Sequence, residues 1–536
     1  MTQSREEFDA VVIGAGFAGI YMLYKLRGLG LRCRLFEAGD GPGGAWYWNR
    51  YPGARCDSES YFYCYSFSQD VLDEWTWSER FPAQPEIEAY LNFVSDRLDL
   101  RQDMRFGARV TGAAWDEAAQ RWTVETSAGD AVDARYVVTA IGGLTSTASN
   151  LPAIPGIEDF KGDWYHTGHW PKEGVDFAGK RVGILGTGST GIQAIPEIAK
   201  TAAHLTVFQR TPAYIMPAKN HPLTAEYNAD IKASYPVIWA KAKAHFGGQP
   251  YDPPAYTFDD LDEAEARRLQ EQYWDEGGLR VAQVFKDAYT NVKAREFIEG
   301  FFREKVRSIV KDPVKAEILE PKGYPFGAKR IALDSQFYET FNLPHVDVVN
   351  VRKTPITRVT PEGLRVGETD YPLDVIVFAT GYDAVTGPFR AMNIVGREGM
   401  RLADRLDDGP RAYLGMSFHG FPNFMAVSGP CNPALSTNVP VSIEHDVEWI
   451  ADAIGYCEVN GIRTIEPTAE AEEDWTQETQ SKLEGSLLQQ ADSWHIGANV
   501  PGKPRRLLLW LGGMIAFRKR CDEVTEAGYK GFSLSR

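Results

Sequence analysis

Two glycine-rich loops about 170 residues apart constrain this chain more than any other feature. The first, Gly14-Ala15-Gly16-Phe17-Ala18-Gly19, follows the apolar run Ala10-Val11-Val12-Ile13. The second, Gly186-Thr187-Gly188-Ser189-Thr190-Gly191, follows Val182-Gly183-Ile184-Leu185. In such a loop the first glycine permits a tight turn, the second admits a pyrophosphate and the third lets helix pack on strand. The helix N-terminus then attracts the phosphates. A lone match means little, but each loop here follows a predicted strand and opens a predicted helix. Residues 8–37 read as a strand to Ile13, a helix from about Ile20 to Leu29 and a strand Arg32–Phe36. Residues 180–210 repeat that order, with a helix over Ile192–Ala199 and a strand Leu205–Phe208. Two βαβ units predict an α/β protein with two Rossmann-like dinucleotide-binding domains, each on a parallel sheet.

The two cradles suit different nucleotides. From Gly14 it is 23 positions to Glu37, a carboxylate placed to accept hydrogen bonds from a ribose diol. From Gly186 the same 23-residue step lands on Gln209, followed by Arg210 and Thr211. A 2′-phosphate is repelled by a carboxylate and matched by a guanidinium. The first cradle therefore suits the AMP half of FAD and the second suits NADPH over NADH. One chain holding both points to flavin-plus-nicotinamide redox chemistry.

At 536 residues the chain exceeds one ordinary core. Its 43% hydrophobic and 24% charged content is that of a soluble globular protein. A net charge of −16 argues against a nucleic-acid partner, since phosphate binding needs clustered Lys and Arg. The polar, acidic start lacks the segments of a secretory signal. The longest apolar run, Leu507 to Phe517, is too short to cross a bilayer and reads as a buried element. Six cysteines form no Cys-x-x-Cys pair, and no set of His, Cys and carboxylates has metal-ligand spacing. A cytoplasmic enzyme with reduced thiols, no metal and no membrane partner is the expectation. It is expected to be a monomer or a weak homo-oligomer.

Two later runs, Tyr136–Gly142 and Asp374–Gly381, look like strands that close on glycine near a cofactor. The second predicts that the chain re-enters the first sheet there. Residues 1–145 and 375–536 are accordingly assigned to an FAD-binding domain, and 146–215 with 326–374 to an NADP-binding domain. Residues 216–325, with charged helices over Asp259–Glu276 and Val292–Val310, form a helical insertion over the second cradle. Glycines and prolines flanking 142–156 and 371–381 are candidate hinges.

Between the cradles lies Phe160-x-Gly162-x-x-x-His166-x-x-x-Trp170, followed by Pro171. Read alone, Phe160 and Trp170 are core aromatics and His166 a turn histidine. In this position the stretch resembles the fingerprint of type I Baeyer–Villiger monooxygenases, and the resemblance runs over nearly the whole chain. It extends to Gly43-Gly44-Ala45-Trp46-Tyr47-Trp48, Tyr324-Pro325-Phe326-Gly327-Ala328-Lys329-Arg330, Ala379-Thr380-Gly381 and the run Gly497–Pro504.

The resemblance implies that NADPH reduces FAD and that reduced flavin captures O2 as a C4a-peroxide. The peroxide attacks a ketone, cyclic or bulky, and an ester or lactone results. It implies Arg330 as the fixed cation beside the reacting oxygens and Asp57 as the acid that pairs with it; from sequence alone these are a surface salt bridge and a turn aspartate. Lys329 resembles a partner of Arg210 and Thr211 on the 2′-phosphate, and Trp494 a tryptophan that contacts the nicotinamide nucleotide. Gly44, Trp46, Tyr47 and Trp48 are expected to wall the flavin. His166 is given a coupling role without proton transfer. The loop Gly429–Asn438 looks like the longer form of phenylacetone-type members, with Leu435, Ser436 and Thr437 expected in the ketone pocket. Gly142-Gly143-Leu144 departs from that type, so its substrate preference does not carry over. Three other readings stay open: an N- or S-oxygenase of the same architecture, which Trp170-Pro171 disfavours, a flavin reductase, and a nucleotide-binding regulator without turnover.

Overall fold

The computed structural model describes residues 5–144 and 149–536. The strand Glu6–Ile13 ends in four successive buried residues, so it must sit inside a sheet covered on both faces. It lies parallel to Cys33–Phe36 on one side and to Ala131–Thr139 on the other. The first sheet runs Asn393–Val395, Val110–Asp116, Arg121–Thr126, Ala131–Thr139, Glu6–Ile13, Cys33–Phe36, Met104–Arg105, and Phe424–Ala426 also pairs with Ala131–Thr139. The second sheet is wholly parallel, in the order Val346–Asn350, His204–Gln209, Arg181–Leu185, Val375–Phe378, Asp163–His166. In both sheets the strand before the glycine loop lies where the strand order reverses, the place where an open α/β sheet leaves a crevice at its carboxyl edge.

The helices after the two loops, Phe17–Gly28 and Ser189–Ala199, begin earlier than hydrophobic periodicity alone predicts. Each is N-capped by the second glycine of its loop, Gly16 or Gly188, so the loop itself forms the first turn.

The structure corrects the placement of Asp374–Gly381. Val375–Phe378 is an internal strand of the second sheet, between Arg181–Leu185 and Asp163–His166, and not the point of return to the first. The Asp374 carboxylate accepts the Arg181 N–H at 2.8 Å and pairs with its guanidinium at 2.6 Å at the start of this ladder. Return comes at Asn393–Val395 and Phe424–Ala426, so the boundary drawn at 375 moves past Phe378. A strand with neighbours on both sides is also a poor hinge; the crossing segment is the stretch after it. Of the other hinge stretch, 145–148 lie outside the described residues.

The insertion is helical as expected, over Ala225–Ala244, Glu263–Glu276, Val292–Ile309 and Pro313–Leu319. Asp262 and Glu265 form a reciprocal capping box that starts the second of these helices. On the third, Ile298, Phe302 and Val306 are buried on one face. The insertion does not sit on the second cradle alone. Tyr235, Ile238, Trp239 and Ala242 of its first helix pack into the core of the first domain, and the Tyr251 hydroxyl donates to buried Glu59 at 2.8 Å. The apolar run near the C-terminus is buried over Leu507–Trp510 and then opens the helix Gly513–Glu526. No described helix is long and apolar enough to cross a membrane.

Candidate active site

Both cradles open onto one cavity of about 1000 Å³. A Cβ on Gly14 would meet the Ala140 carbonyl oxygen at 2.8 Å, and one on Gly186 would meet that of Ala379 at 2.4 Å. Each loop therefore passes hard against the end of the neighbouring strand. The third glycines are tighter still: a Cβ on Gly19 or Gly191 would come within 1.8 or 2.1 Å of the first glycine's own carbonyl. Gly188 differs: a Cβ on it would meet no atom within 4 Å, and it faces the cavity. That open face at a helix N-terminus fits a pyrophosphate. Gly188→Ala is expected to leave the melting temperature within about 1 °C and to raise the KM for NADPH roughly tenfold, whereas Gly191→Ala costs about 1–3 kcal/mol of stability through overpacking. Thermal unfolding beside steady-state kinetics separates the two.

Gly44 presses on the first loop: a Cβ there would lie 2.6 Å from Gly16 Cα. Glu37 is buried and lines the cavity, where its carboxylate accepts the Ala15 and Gly39 N–H groups, each at 2.7 Å. Burial raises its pKa, and those donors work against the rise. Trp46 and Trp48 line the cavity, Trp46 donating to the Tyr63 hydroxyl at 3.2 Å. Tyr47 does not wall the cavity; it is buried and bonds Asp40, because the short helix Ala45–Trp48 turns it inward.

At the second cradle, Ser189, Arg210, Thr211 and Lys329 all line the cavity. Burial holds the Lys329 ammonium below its ordinary pKa, and the charges of Arg210 and Arg352 add to that, against Asp492. Arg210 and Lys329, two cations at the cavity with Arg352 close enough to act on Lys329 from outside the lining, fit an anionic phosphate. Arg352 was not legible in the sequence, because it arrives from the far strand Val346–Asn350, 142 residues after Arg210.

Arg330 and Asp57 come together. The Arg330 Nη2 lies 3.2 Å from Asp57 Oδ2, and both line the cavity. Asp57 is 9% exposed while Arg330 is 47% exposed, into the space between the cradles. Burial raises the Asp57 pKa, and the guanidinium and the Gln193 amide oppose that rise. Trp494 also lines the cavity, stacked on His495 at 4.1 Å between ring centroids.

Of the three loop residues expected in the ketone pocket, Leu435 and Thr437 line the cavity and Ser436 does not. The turn Ala434–Ser436 carries the Ser436 hydroxyl back onto the Pro433 carbonyl at 2.7 Å. Gly143 faces Leu435, and a Cβ on it would meet Leu435 Cδ1 at 2.5 Å.

The fingerprint residues brace the second sheet and do not line the cavity. Phe160 packs against the core around Phe378, and a Cβ on Gly162 would strike the Asp374 carbonyl at 2.3 Å. Trp170 is buried against Tyr165 and Phe177. His166 ends the edge strand, 4% exposed, its Nδ1 accepting the Gly168 N–H at 3.0 Å beside the Tyr382 ring. Burial, then His169, pushes its pKa down to about 4. His166 is thus neutral in the fold at pH 7, and its contribution, present above about 6.5, is lost as pH falls toward 4. His166→Asn is expected to lose about 2–3 kcal/mol less than the unaltered chain across that window, measured by urea unfolding.

A chain that presents two dinucleotide cradles to a single cavity is built as a two-cofactor oxidoreductase. A family model described as pyridine nucleotide-disulphide oxidoreductase matches residues 8–236. The chain is 43% identical over 531 residues to a Baeyer-Villiger monooxygenase of Pseudooceanicola batsensis, covering 98% of this chain and 95% of that protein. It is 41% identical to the acetone monooxygenase (methyl acetate-forming) of Gordonia sp. (strain TY-5), covering 99% and 100%. It is 40% identical to a phenazine N-monooxygenase of Lysobacter antibioticus, covering 99% and 97%. Among solved structures, a closed crystal structure of cyclohexanone monooxygenase superposes with a TM-score of 0.96 at 45% identity over 99% of this chain and 100% of that one. A crystal structure of OTEMO in complex with FAD and NADP superposes with a TM-score of 0.94 at 40% identity, covering 99% and 100%. The chain belongs to the Baeyer–Villiger monooxygenase family.

Proposed function

We propose that this chain inserts one oxygen atom of O2 into the C–C bond beside a ketone carbonyl, giving an ester or lactone, with FAD in the first cradle and NADPH in the second. One observation carries the reading: Arg330, paired with buried Asp57, faces the one cavity that both cradles share. The glycine packing, the open face of Gly188 and the Arg210–Lys329–Arg352 cations fit the two dinucleotides. When bound, that pair supplies the reducing equivalents and the activated oxygen.

The protein's own residues supply the electrostatics. A guanidinium keeps its charge at every working pH and offers directed donors to an oxygen that gains negative charge. Asp57 restrains Arg330 to one approach, and the aromatic wall of Trp46, Trp48 and Trp494 limits water. Trp494 and Leu435 line the cavity and are backed by buried Leu508 and Leu509, an apolar surface suited to cyclic or bulky ketones. Relatives named cyclopentanone 1,2-monooxygenase and cyclohexanone 1,2-monooxygenase, 39% identical each, support that class. The six cysteines are free and buried, the state a reducing cytoplasm maintains, which supports a cytoplasmic setting. A product screen over small, aryl and polycyclic ketones with NADPH tests the reading; NADPH oxidation that yields only hydrogen peroxide across the panel would sink it.

The phenazine N-monooxygenase relative favours a second reading, oxygenation of a heteroaromatic nitrogen in the same pocket. An N-oxide from a phenazine, with no ester from any ketone, would select it.

A further inference from the structure

We propose that Gln193 is a positioning residue that ties the nucleotide cradle to the Asp57–Arg330 pair; this rests on the function proposed above. Gln193 lies one turn into the helix Ser189–Ala199, whose first residues face the cavity. It is 6% exposed, and among the described residues its amide bonds to one segment of the other domain. Oε1 accepts from the Tyr51 hydroxyl at 2.8 Å and from the Arg55 N–H at 3.4 Å. Nε2 donates to the Arg55 carbonyl at 3.0 Å and to Asp57 Oδ1 at 3.3 Å. Both donors and both acceptor sites of the amide are therefore used, and a flipped amide would set donor against donor.

The backbones are locked as closely. Gly53 sits at φ +79°, and a Cβ on it would lie 2.3 Å from the Gln193 carbonyl oxygen. The segment from Tyr51 to Asp57 is thus clamped to the helix whose N-terminus faces the cavity. Asp57 spends its other oxygen on Arg330 at 3.2 Å. The result is a continuous linkage of helix, Gln193, Asp57 and Arg330, each joined to the next by a hydrogen bond or ion pair. A neutral amide is the group this place requires. It gives buried Asp57 a donor without cancelling the charge that holds the guanidinium, whereas a second cation would compete with Arg330 and a carboxylate would repel Asp57.

The test uses full-length holoenzyme and the variants Gln193→Leu and Gln193→Glu. In Gln193→Leu, NADP+ is expected to bind within about threefold of the unaltered Kd, because the phosphates meet the helix N-terminus and the cations. The flavin difference spectrum that NADP+ induces is expected to shrink at least twofold, and the ester formed per NADPH to fall at least tenfold. The NADP+-induced flavin difference spectrum of Gln193→Leu combined with Arg330→Ala is expected to match that of Arg330→Ala alone, since both act through one pair. Gln193→Glu covers the case in which the leucine variant does not fold: its ester yield is expected to recover toward acid pH as the new carboxyl becomes a donor. A normal spectrum and yield in Gln193→Leu, additive losses in the double variant, or a Gln193→Glu profile parallel to the unaltered enzyme would each overturn the inference. An unaltered enzyme that makes no ester from any ketone would instead overturn the proposed function.

Discussion

Arg330→Ala is expected to abolish ester and lactone formation while anaerobic reduction of the bound flavin by NADPH stays within about threefold of the unaltered rate. The asymmetry follows from where the guanidinium sits. Reduction is a transfer between two cofactors held by the glycine loops, the Glu37 shell and the cation cluster, none of which depends on Arg330. The oxygenation step alone builds negative charge on the carbonyl oxygen, and Arg330 is the cation that Asp57 holds at the shared cavity. Removing one preorganised donor at such a place typically costs about 10²–10³ in rate, and here the donor is charged. The variant also strands Asp57, whose burial already raises its pKa, so the carboxyl is expected to take up a proton more readily than before. Arg330→Lys keeps a charge on a shorter, single-point donor and is expected to recover only part of the product. Stopped-flow absorbance gives the reduction rate and gas chromatography the yield; an unchanged ester yield in Arg330→Ala removes this residue from the chemistry.

Arg210→Ala is expected to raise the KM for NADPH about 10–100-fold and that for NADH less than threefold, from the roughly 1.5–3 kcal/mol of a charge-assisted hydrogen bond. The 2′-phosphate is the one group that distinguishes the two nucleotides, so only a residue that touches it changes their ratio. Burial and like charge hold the Lys329 ammonium below its ordinary pKa. Lys329 remains at the cavity once Arg210 is removed, so the single variant is expected toward the low end and Arg210→Ala with Lys329→Ala beyond it. Equal changes for NADPH and NADH would contradict the phosphate assignment.

The parts legible in the sequence were those whose physics is local. A glycine loop between a buried strand and a helix carries its own explanation, and both cradles stand where Gly14 and Gly186 put them. The charged helix read over Val292–Val310, which buries Ile298, Phe302 and Val306 on one face, is local in the same sense. The pairing of Asp57 with Arg330, 273 residues apart, came only from the family's motif. What was missed depends on which distant segments meet. Val375–Phe378 is apolar on both faces and would suit either sheet; its neighbours are Arg181–Leu185 and Asp163–His166, distant segments whose meeting sequence spacing does not encode. Gln193 was hidden for a related reason. On a buried helix face a glutamine reads as an ordinary polar residue until Tyr51, Arg55 and Asp57 are seen against it. Ser436 failed on a finer scale, because a single turn decides whether a hydroxyl faces the cavity or its own backbone.

The most direct measurement is incubation of the holoenzyme with NADPH, a cyclic ketone and isotopically labelled O2, followed by mass spectrometry of the product. Two cradles sharing one cavity around Arg330 predict a lactone that carries one labelled oxygen, formed in step with NADPH consumption. NADPH consumption with labelled hydrogen peroxide as the sole oxygen-containing product, or a lactone without the label, would contradict it.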